Sequence, residues 1–135
     1  MTEGETSILI VEDDLPIRAL LMALLGERFD CQAAETAEAA TRLLNSQFFH
    51  LVLADIGLPR TSGLDLCRTI AAHSRSTVVV LISGKTDLEA AAEAREAGAF
   101  DFLSKPFDLD EVIATVDRAL AYQAEQSRSN RATNG

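Results

Sequence analysis

The sequence lacks long hydrophobic runs and is poor in basic residues, and each shortage excludes a class of protein. No stretch approaches the roughly 20 consecutive apolar residues that a membrane-spanning helix needs. The 12 lysines and arginines are outnumbered by 21 aspartates and glutamates, which gives a formal net charge of −9. Because a nucleic-acid-binding surface needs a basic face, this acidic chain is expected to bind cations or a basic protein surface and not to contact nucleic acid directly.

Cysteine is also scarce, with only Cys31 and Cys67 in the chain. They form no Cys-x-x-Cys pair and have no histidine at ligand spacing, so both are expected to be free thiols in a reducing compartment. The opening residues are acidic, unlike the basic start of a secretory leader. His50 and His73 lack the helical-bundle context of a phosphohistidine and are expected at the surface. The sequence therefore predicts a soluble cytoplasmic protein without a membrane association.

The length of 135 residues and the hydrophobic content of 47% fit one folded domain. The domain is predicted to span residues 7–122, and the polar segment 123–135 is expected to be a disordered tail or a linker. Five strand-like runs alternate with five helix-like segments, which predicts a parallel sheet with helices on both faces. The strands are predicted at about 8–11, 31–34, 51–55, 77–83 and 100–103, and the helices at about 16–26, 37–46, 63–73, 88–97 and from a cap at Asp108 to about Tyr122.

Polar and ionisable residues stand at the carboxyl ends of four predicted strands. Strand one ends at Glu12 and Asp13, and strand three ends at Asp55. Strand four ends at Ser83, and strand five leads into Lys105. In an open parallel sheet, ligands bind beyond these ends, where the strand order switches. Because four separate strands would bring functional groups to one edge, the sequence predicts a functional site there.

The acidic residues of this edge predict a magnesium site. Two carboxylates about 4 Å apart repel by roughly 4 kcal/mol at an effective dielectric near 20, and a hard divalent cation relieves that repulsion. Mg²⁺ is the expected cofactor, because it takes one or two carboxylates, a carbonyl and several waters in an octahedron. Asp13 and Asp55 are predicted as direct ligands and Glu12 as a direct or water-mediated one. The backbone carbonyl of Gly57 is predicted as a further ligand.

A metal-bound aspartate that faces a lysine and a serine fits a phosphoryl acceptor. Asp55 can act as the nucleophile and become an acyl phosphate. Phosphoryl transfer depends more on positioning and charge neutralisation than on proton transfer. Lys105 would neutralise one side of the phosphoryl group, and the Ser83 hydroxyl would donate a hydrogen bond to it. Backbone N–H groups near Gly57 and Gly84 would add further donors.

Taken together, these residues resemble the receiver domain of bacterial two-component response regulators. The resemblance covers about Ser7 to Tyr122 and implies a flavodoxin-like α/β fold, a doubly wound five-stranded parallel sheet of order 2-1-3-4-5 with helices on both faces. It implies that Asp55 takes a phosphoryl group from a phosphohistidine on a sensor histidine kinase or a phosphotransfer protein, and that small phosphodonors can replace the kinase. The matching features, in chain order, are Glu12-Asp13, Asp55, Pro59 with Gly63, Ser83 and Lys105-Pro106.

The resemblance also implies a conformational switch. The switch aromatic of such domains stands three residues before the lysine, which here is Phe102, and phosphorylation would draw Ser83 inward and open room for it. The face of helix four, strand five and helix five would then bind a downstream protein or a tethered effector domain, or would form a phosphorylation-dependent homodimer. The Lys105–Pro106 bond resembles one that is often cis in the family. Lys85 flanks the expected path of water to the acyl phosphate.

Three other functions fit this pattern less well. A magnesium phosphatase of the haloacid-dehalogenase type needs a second aspartate two residues after the nucleophile, where this chain has Gly57. A nucleotide or flavin site is disfavoured, because the acidic residues Glu12 to Asp14 follow strand one where a glycine-rich loop would be needed. A phosphorylation-independent scaffold is disfavoured by the intact acid, serine and lysine set. The predicted function is therefore a signalling switch, not an enzyme, that catalyses only its own phosphoryl transfer and slow autodephosphorylation.

Overall fold

The computed structural model describes residues 5–74, 76–84 and 88–134. Five strands form one parallel sheet in the order 2-1-3-4-5, which confirms the predicted topology. The strands are β1 (Ser7–Val11), β2 (Asp30–Ala34), β3 (Leu51–Asp55), β4 (Val78–Ser83) and β5 (Asp101–Ser104). The helices are α1 (Leu15–Gly26), α2 (Ala37–Ser46), α3 (Gly63–His73), α4 (Leu88–Glu96) and α5 (Leu109–Asn134).

The core has two layers, one on each face of the sheet. Successive side chains of a strand point to opposite faces, so in β1 Leu9 and Val11 join one layer while Ile8 and Ile10 join the other. Helices α2, α3 and α4 cover the first face, and α1 and α5 cover the second. Burial on both faces explains why the central strands are continuous apolar runs.

Local capping residues determine where several helices begin and end. Asp14 Oδ1 accepts a backbone N–H of the first turn of α1 at 3.1 Å, and Pro16 lies in that turn. Thr36 Oγ1 caps α2 in the same way at 3.0 Å. Such caps satisfy N–H groups that have no partner within the helix. After α4, Gly98 has a φ of 98°, which is the left-handed conformation that a glycine supplies at a helix end.

Helix α5 is longer than the sequence pattern predicts. It ends at Asn134 and not near Tyr122, so the segment expected to be a disordered tail is helical up to that residue. The segment has no glycine or proline before Gly135, and its alanine, glutamine, glutamate and arginine residues favour a helix. Gln123 also packs against the domain, since it is 5% exposed and its Nε2 donates to the Ser76 carbonyl at 2.9 Å. The predicted boundary at residue 122 therefore does not coincide with the end of a helix.

The structure also bears on the two cysteines and on the lack of long apolar runs. Both cysteines are free, as predicted, and burial raises the pKa of Cys31 and of Cys67 to about 11. A thiol with so high a pKa is a poor nucleophile at neutral pH. Within the described part of the chain, no helix combines the length and the apolar content that crossing a membrane requires.

His50 is less exposed than predicted from the sequence. It is half-buried, and its Nδ1 accepts the Ser7 backbone N–H at 3.1 Å. Desolvation lowers the pKa of His50. His50 lies beside the amino ends of β1 and β3, at the opposite end of the strands from the predicted site.

Gly63 begins α3 where that helix starts close to the end of β3. Its N–H donates to the Ile56 carbonyl at 3.0 Å. A Cβ at position 63 would overlap the Asp55 carbonyl oxygen and would lie 2.9 Å from the Ile56 Cα. Both neighbours are backbone, so they cannot rotate away. Only glycine therefore permits this close approach of α3 to the strand that carries Asp55.

Gly63→Ala is expected to lower the free energy of unfolding by about 1–3 kcal/mol, because the new methyl group must displace backbone. Urea unfolding of the full chain measures this loss. Gly26→Ala is the matched control, since a Cβ at position 26 would have nothing within 4 Å. That control is expected to leave stability unchanged or to raise it by up to about 1 kcal/mol. Equal losses in the two variants would contradict the packing argument.

Candidate functional site at the carboxyl edge of the sheet

The structure brings the predicted site residues to one edge of the sheet. Glu12 follows β1, Asp55 ends β3, Ser83 ends β4 and Lys105 follows β5. The register pairs β1 with β3, β3 with β4 and β4 with β5, so these four positions lie in neighbouring strands. The Lys105 N–H donates to the Ser83 carbonyl at 2.7 Å and ties the last two strand ends together.

Three carboxylates form a compact acidic cluster at this edge. Glu12, Asp13 and Asp55 each offer an oxygen, and these oxygens lie within 4.8 Å of one another. Glu12 is 0% exposed and Asp55 is 7% exposed, whereas Asp13 is exposed. The cluster therefore has two carboxylates in the protein interior and one facing solvent, which leaves it open to a small ligand.

Lys105 provides the positive charge beside this cluster. Its Nζ lies 2.7 Å from Asp55 Oδ2 and 3.2 Å from Glu12 Oε1. Burial disfavours the charged amine, but the hydrogen bond and charge of Asp55, together with Glu12, outweigh burial and raise the pKa of Lys105. The side chain is therefore an ammonium at neutral pH, and it neutralises only part of the negative charge of three carboxylates.

Glu12 is the carboxylate most affected by its surroundings. Burial is the largest influence on Glu12, and the contact with Asp55 acts in the same direction, whereas the bond from the Asp14 N–H and the charge of Lys105 act against them. The net result is that the pKa of Glu12 is raised to about 7. Glu12 Oε1 is fully buried, and its ion-pair contact with Lys105 lacks the alignment of a hydrogen bond. This oxygen therefore retains an unfilled acceptor position beside Asp55.

These features fit a hard divalent cation. The donors are all oxygens, as Mg²⁺ prefers, and they are close enough that a shared cation would relieve their mutual repulsion. The unfilled acceptor of Glu12 and the exposure of Asp13 provide an inner and an outer ligand position. Gly57 is also close, because its N–H donates to Asp55 Oδ1 at 2.9 Å. The roles of these residues as ligands, including the Gly57 carbonyl, stay predictions.

The structure describes most of the remaining predicted residues. Phe102 in β5 is half-buried and packs against the core layer of α2, α3 and α4. Gly84 is exposed directly after β4. The Lys105–Pro106 bond is cis, as the resemblance implied. Lys85, predicted to flank the path of water, lies outside the described residues.

Two polar contacts near the site were not predicted from the sequence. Arg18 in α1 donates from Nη1 to the Glu12 carbonyl at 2.8 Å, and Thr61 Oγ1 donates to Glu38 Oε2 at 2.7 Å. Neither has a signal in the local sequence. The first depends on how α1 packs on the sheet, and the second joins residues 23 positions apart.

Comparisons with known proteins agree with this geometry. A family model described as the response regulator receiver domain matches residues 8–117. The DNA-binding transcriptional regulator NtrC of Proteus hauseri is 37% identical over 129 residues, which are 95% of this chain and 27% of that protein. NtrC of Escherichia coli K12 is 38% identical over 128 residues, which are 93% of this chain and 27% of that protein. The chain thus spans 27% of the length of these curated relatives.

Solved structures agree as well. The signal receiver domain of an HD domain-containing protein from Pseudomonas fluorescens has a TM-score of 0.84 and 31% identity, and the match covers 90% of this chain and 98% of that one. NtrX from Brucella abortus has a TM-score of 0.86 and 33% identity, and the match covers 94% of this chain and 29% of that one.

The raised pKa of Glu12 predicts how stability depends on pH when no metal is present. The folded protein keeps a proton on Glu12 that the unfolded chain releases, so this stabilisation is complete below pH 4.5 and is lost as pH rises through about 7. The loss is up to about 3 kcal/mol. In Glu12→Gln the loss should disappear, because an amide does not titrate. Urea unfolding in EDTA between pH 5 and pH 8 measures both profiles.

Comparing wild type with Glu12→Gln isolates this one carboxyl group. The lowered pKa of His50 acts in the opposite direction, since its stabilisation is present at high pH and is lost as pH falls below the ordinary histidine value. His50 is common to both proteins, so its contribution cancels in the difference. Parallel pH profiles for the two proteins would contradict the assignment to Glu12.

Proposed function

The chain belongs to the family of response regulator receiver domains, and from this premise we propose that it is a signalling switch whose Asp55 accepts a phosphoryl group from a sensor histidine kinase or a phosphotransfer protein. The observation that carries the proposal is the 2.7 Å contact between Lys105 Nζ and Asp55 Oδ2 inside an acidic cluster. It pairs a nucleophilic carboxylate with a fixed cation, and phosphoryl transfer requires chiefly such positioning and charge neutralisation.

In the proposed reaction, an Asp55 carboxylate oxygen forms a bond to phosphorus while the bond from phosphorus to the donor imidazole nitrogen breaks. The electron pair of the broken bond stays on the imidazole, which takes up a proton from solvent. Asp55 becomes an acyl phosphate. Lys105 would then pair with a phosphoryl oxygen. The Ser83 hydroxyl and backbone N–H groups near Gly57 and Gly84 would donate hydrogen bonds to the phosphoryl oxygens.

The cofactor of this proposal is Mg²⁺. Asp13 and Asp55 would bind it directly, Glu12 would bind it directly or through water, and the Gly57 carbonyl would complete the protein ligands. When bound, Mg²⁺ would neutralise negative charge on the transferred phosphoryl group. The close carboxylate oxygens and the unfilled acceptor of Glu12 support this assignment.

The proposed output is a change of the face formed by α4, β5 and α5. Ser83 is 5% exposed, and its carbonyl accepts the Lys105 N–H. A shift of Ser83 toward a phosphoryl group would therefore also move the backbone at the end of β5. Phe102 lies in β5 and would move inward, driven by burial alone because it has no hydroxyl group. The altered face would engage a downstream protein, a tethered effector domain or a second copy. The NtrC relatives are DNA-binding transcriptional regulators, which supports an effector of that kind.

The proposed docking surface for the phosphodonor is the outer face of α1. Leu15 is 64% exposed and Leu20 is 44% exposed. Ala19, which lies between them in the sequence, and Ala23, which follows Leu20, are also exposed. Arg18 is the one charged residue of this helix. The apolar face begins two residues after Asp13, so a helical kinase domain seated on it would hold its phosphohistidine close to Asp55. The donor histidine of such a kinase is cytoplasmic, and the chain is expected there.

Asp55 is expected to gain one phosphoryl group when the full chain is incubated with acetyl phosphate and Mg²⁺. Asp55→Asn removes the nucleophile and should gain none, as intact mass shows. Asp14→Asn is the matched control, because it removes a neighbouring acid while an asparagine can still cap α1. A wild-type chain that never gains the group, even from an active kinase, would favour the phosphorylation-independent scaffold.

Leu20→Glu is expected to slow phosphorylation by a sensor kinase at least about tenfold, because it places a charge in an apolar contact. The rate with acetyl phosphate should stay within about twofold of wild type, since a small donor needs no docking surface. Radiolabel transfer from any kinase that phosphorylates the wild-type chain measures the first rate. Phe48→Glu is the matched control, because Phe48 is 49% exposed but lies near the amino end of β3. Equal effects of both variants would count against docking on α1.

A further inference from the structure

The loop between β3 and α3, residues 56–62, is held from outside by a side chain that the proposed reaction does not use. Thr61 Oγ1 donates to Glu38 Oε2 at 2.7 Å. Glu38 lies in the first turn of α2, so this bond joins α2 to the loop that directly follows Asp55.

The conformation of the loop explains why it needs an external contact. Arg60 has a φ of 65°, a left-handed conformation that costs a residue with a Cβ roughly 1–2 kcal/mol. Such a conformation persists only where the surroundings impose it. Leu58, 6% exposed, fixes the first half of the loop in the core. The bond from Thr61 to Glu38 fixes the second half, directly after the strained residue.

The base of the same loop contacts the proposed phosphoacceptor. The Gly57 N–H donates to Asp55 Oδ1 at 2.9 Å, and the Gly63 N–H donates to the Ile56 carbonyl at 3.0 Å. Only three residues separate Gly57 from Thr61. A shift of Thr61 would therefore reach the Gly57 N–H and the orientation of the Asp55 carboxylate.

Glu38 is well suited to hold the loop. The hydrogen bond from Thr61 is the largest influence on its carboxyl group and lowers the pKa of Glu38, and the charge of Arg60 lowers it further. The side chain is therefore ionised at neutral pH, and a hydrogen bond to a charged acceptor is roughly twice as strong as one to a neutral acceptor. Glu38 Oε1 is buried without a hydrogen-bond partner, so Oε2 carries the described contact to the loop.

We propose that Glu38 is a positioning residue for Asp55. Through Thr61 it fixes the loop of residues 56–62, so that the Gly57 N–H stays on Asp55 Oδ1 and holds the carboxylate in one orientation. Glu38 does not touch the reacting atoms. The consequence for phosphoryl transfer rests on the proposed function, whereas the effect on the loop does not.

Amide hydrogen exchange of the metal-free full chain, followed by NMR, tests the effect on the loop. Thr61→Val is nearly isosteric but removes the hydroxyl, and it is expected to raise the exchange rate of the Gly57 N–H at least about fivefold through local opening. Thr61→Ser keeps a hydroxyl and should stay within about twofold of wild type. The Leu53 N–H in the centre of the sheet reports global stability. An unchanged Gly57 rate in Thr61→Val, or an equal rise at Leu53, would overturn the proposal.

Phosphorylation kinetics test the effect on Asp55. With acetyl phosphate and Mg²⁺, Glu38→Ala is expected to slow phosphorylation at least about threefold through misplacement of the carboxylate. Glu38→Gln still offers an acceptor to Thr61, so it should recover the rate to within about twofold of wild type. If Glu38→Ala left the phosphorylation rate unchanged while Gly57 N–H exchange became faster, Glu38 would hold the loop without positioning Asp55. That result would contradict the proposal. A wild-type chain that gains no phosphoryl group counts against the proposed function, and the exchange experiment still decides whether Glu38 holds the loop.

Discussion

The ion pair of Lys105 with Asp55 and Glu12 is the interaction on which the carboxyl edge of this sheet depends. Two of the three carboxylates are buried, and a buried charge without a partner is strongly destabilising. The ammonium 2.7 Å from Asp55 allows that carboxylate to stay close to the other acids. The compensation is partial, because one ammonium faces three carboxylates. Protonation of Glu12, whose pKa is about 7, removes part of the remaining repulsion between the carboxylates. A cation bound at the proposed magnesium site would displace that proton.

A second constraint is the packing of backbone around Asp55. The β3–α3 loop leaves the strand, turns through a left-handed residue at Arg60 and returns to Gly63, which lies against the Asp55 backbone. Gly57 contacts the carboxylate from this loop. The chemistry of the edge thus depends on a loop that is itself under strain and is held by Leu58 and Glu38. A rigid surrounding of this kind keeps the carboxylate in one orientation, and orientation is what phosphoryl transfer chiefly requires.

A few residues distinguish this site from that of a phosphatase or a nucleotide-binding protein. Gly57 stands where a haloacid-dehalogenase phosphatase would have its acid, and it contributes an N–H to Asp55 in its place. Phe102 packs in the core layer of α2, α3 and α4 without a hydroxyl group to satisfy. The acidic turn after β1 leaves no space for a phosphate-binding loop, since Asp14 caps α1 and its N–H bonds to Glu12. These local facts favour a phosphoacceptor over a nucleotide-binding site or a phosphatase.

The sequence by itself determined the fold class and which residues reach the carboxyl edge, and its resemblance to receiver domains implied the strand order. Strand and helix periods are local, and the rule that parallel strands end on one edge converts them into a shared site, so β3 and α3 were predicted with their observed limits. The length of α5 was missed, because its polar composition suits either a tail or a helix until Gln123 finds its partner on Ser76. Only the tertiary structure decided the 2.7 Å contact of Lys105, the raised pKa of Glu12 and the bond from Thr61 to Glu38. Each of these depends on distances and burial set by how separate elements pack, and no short-range pattern of residues encodes that packing.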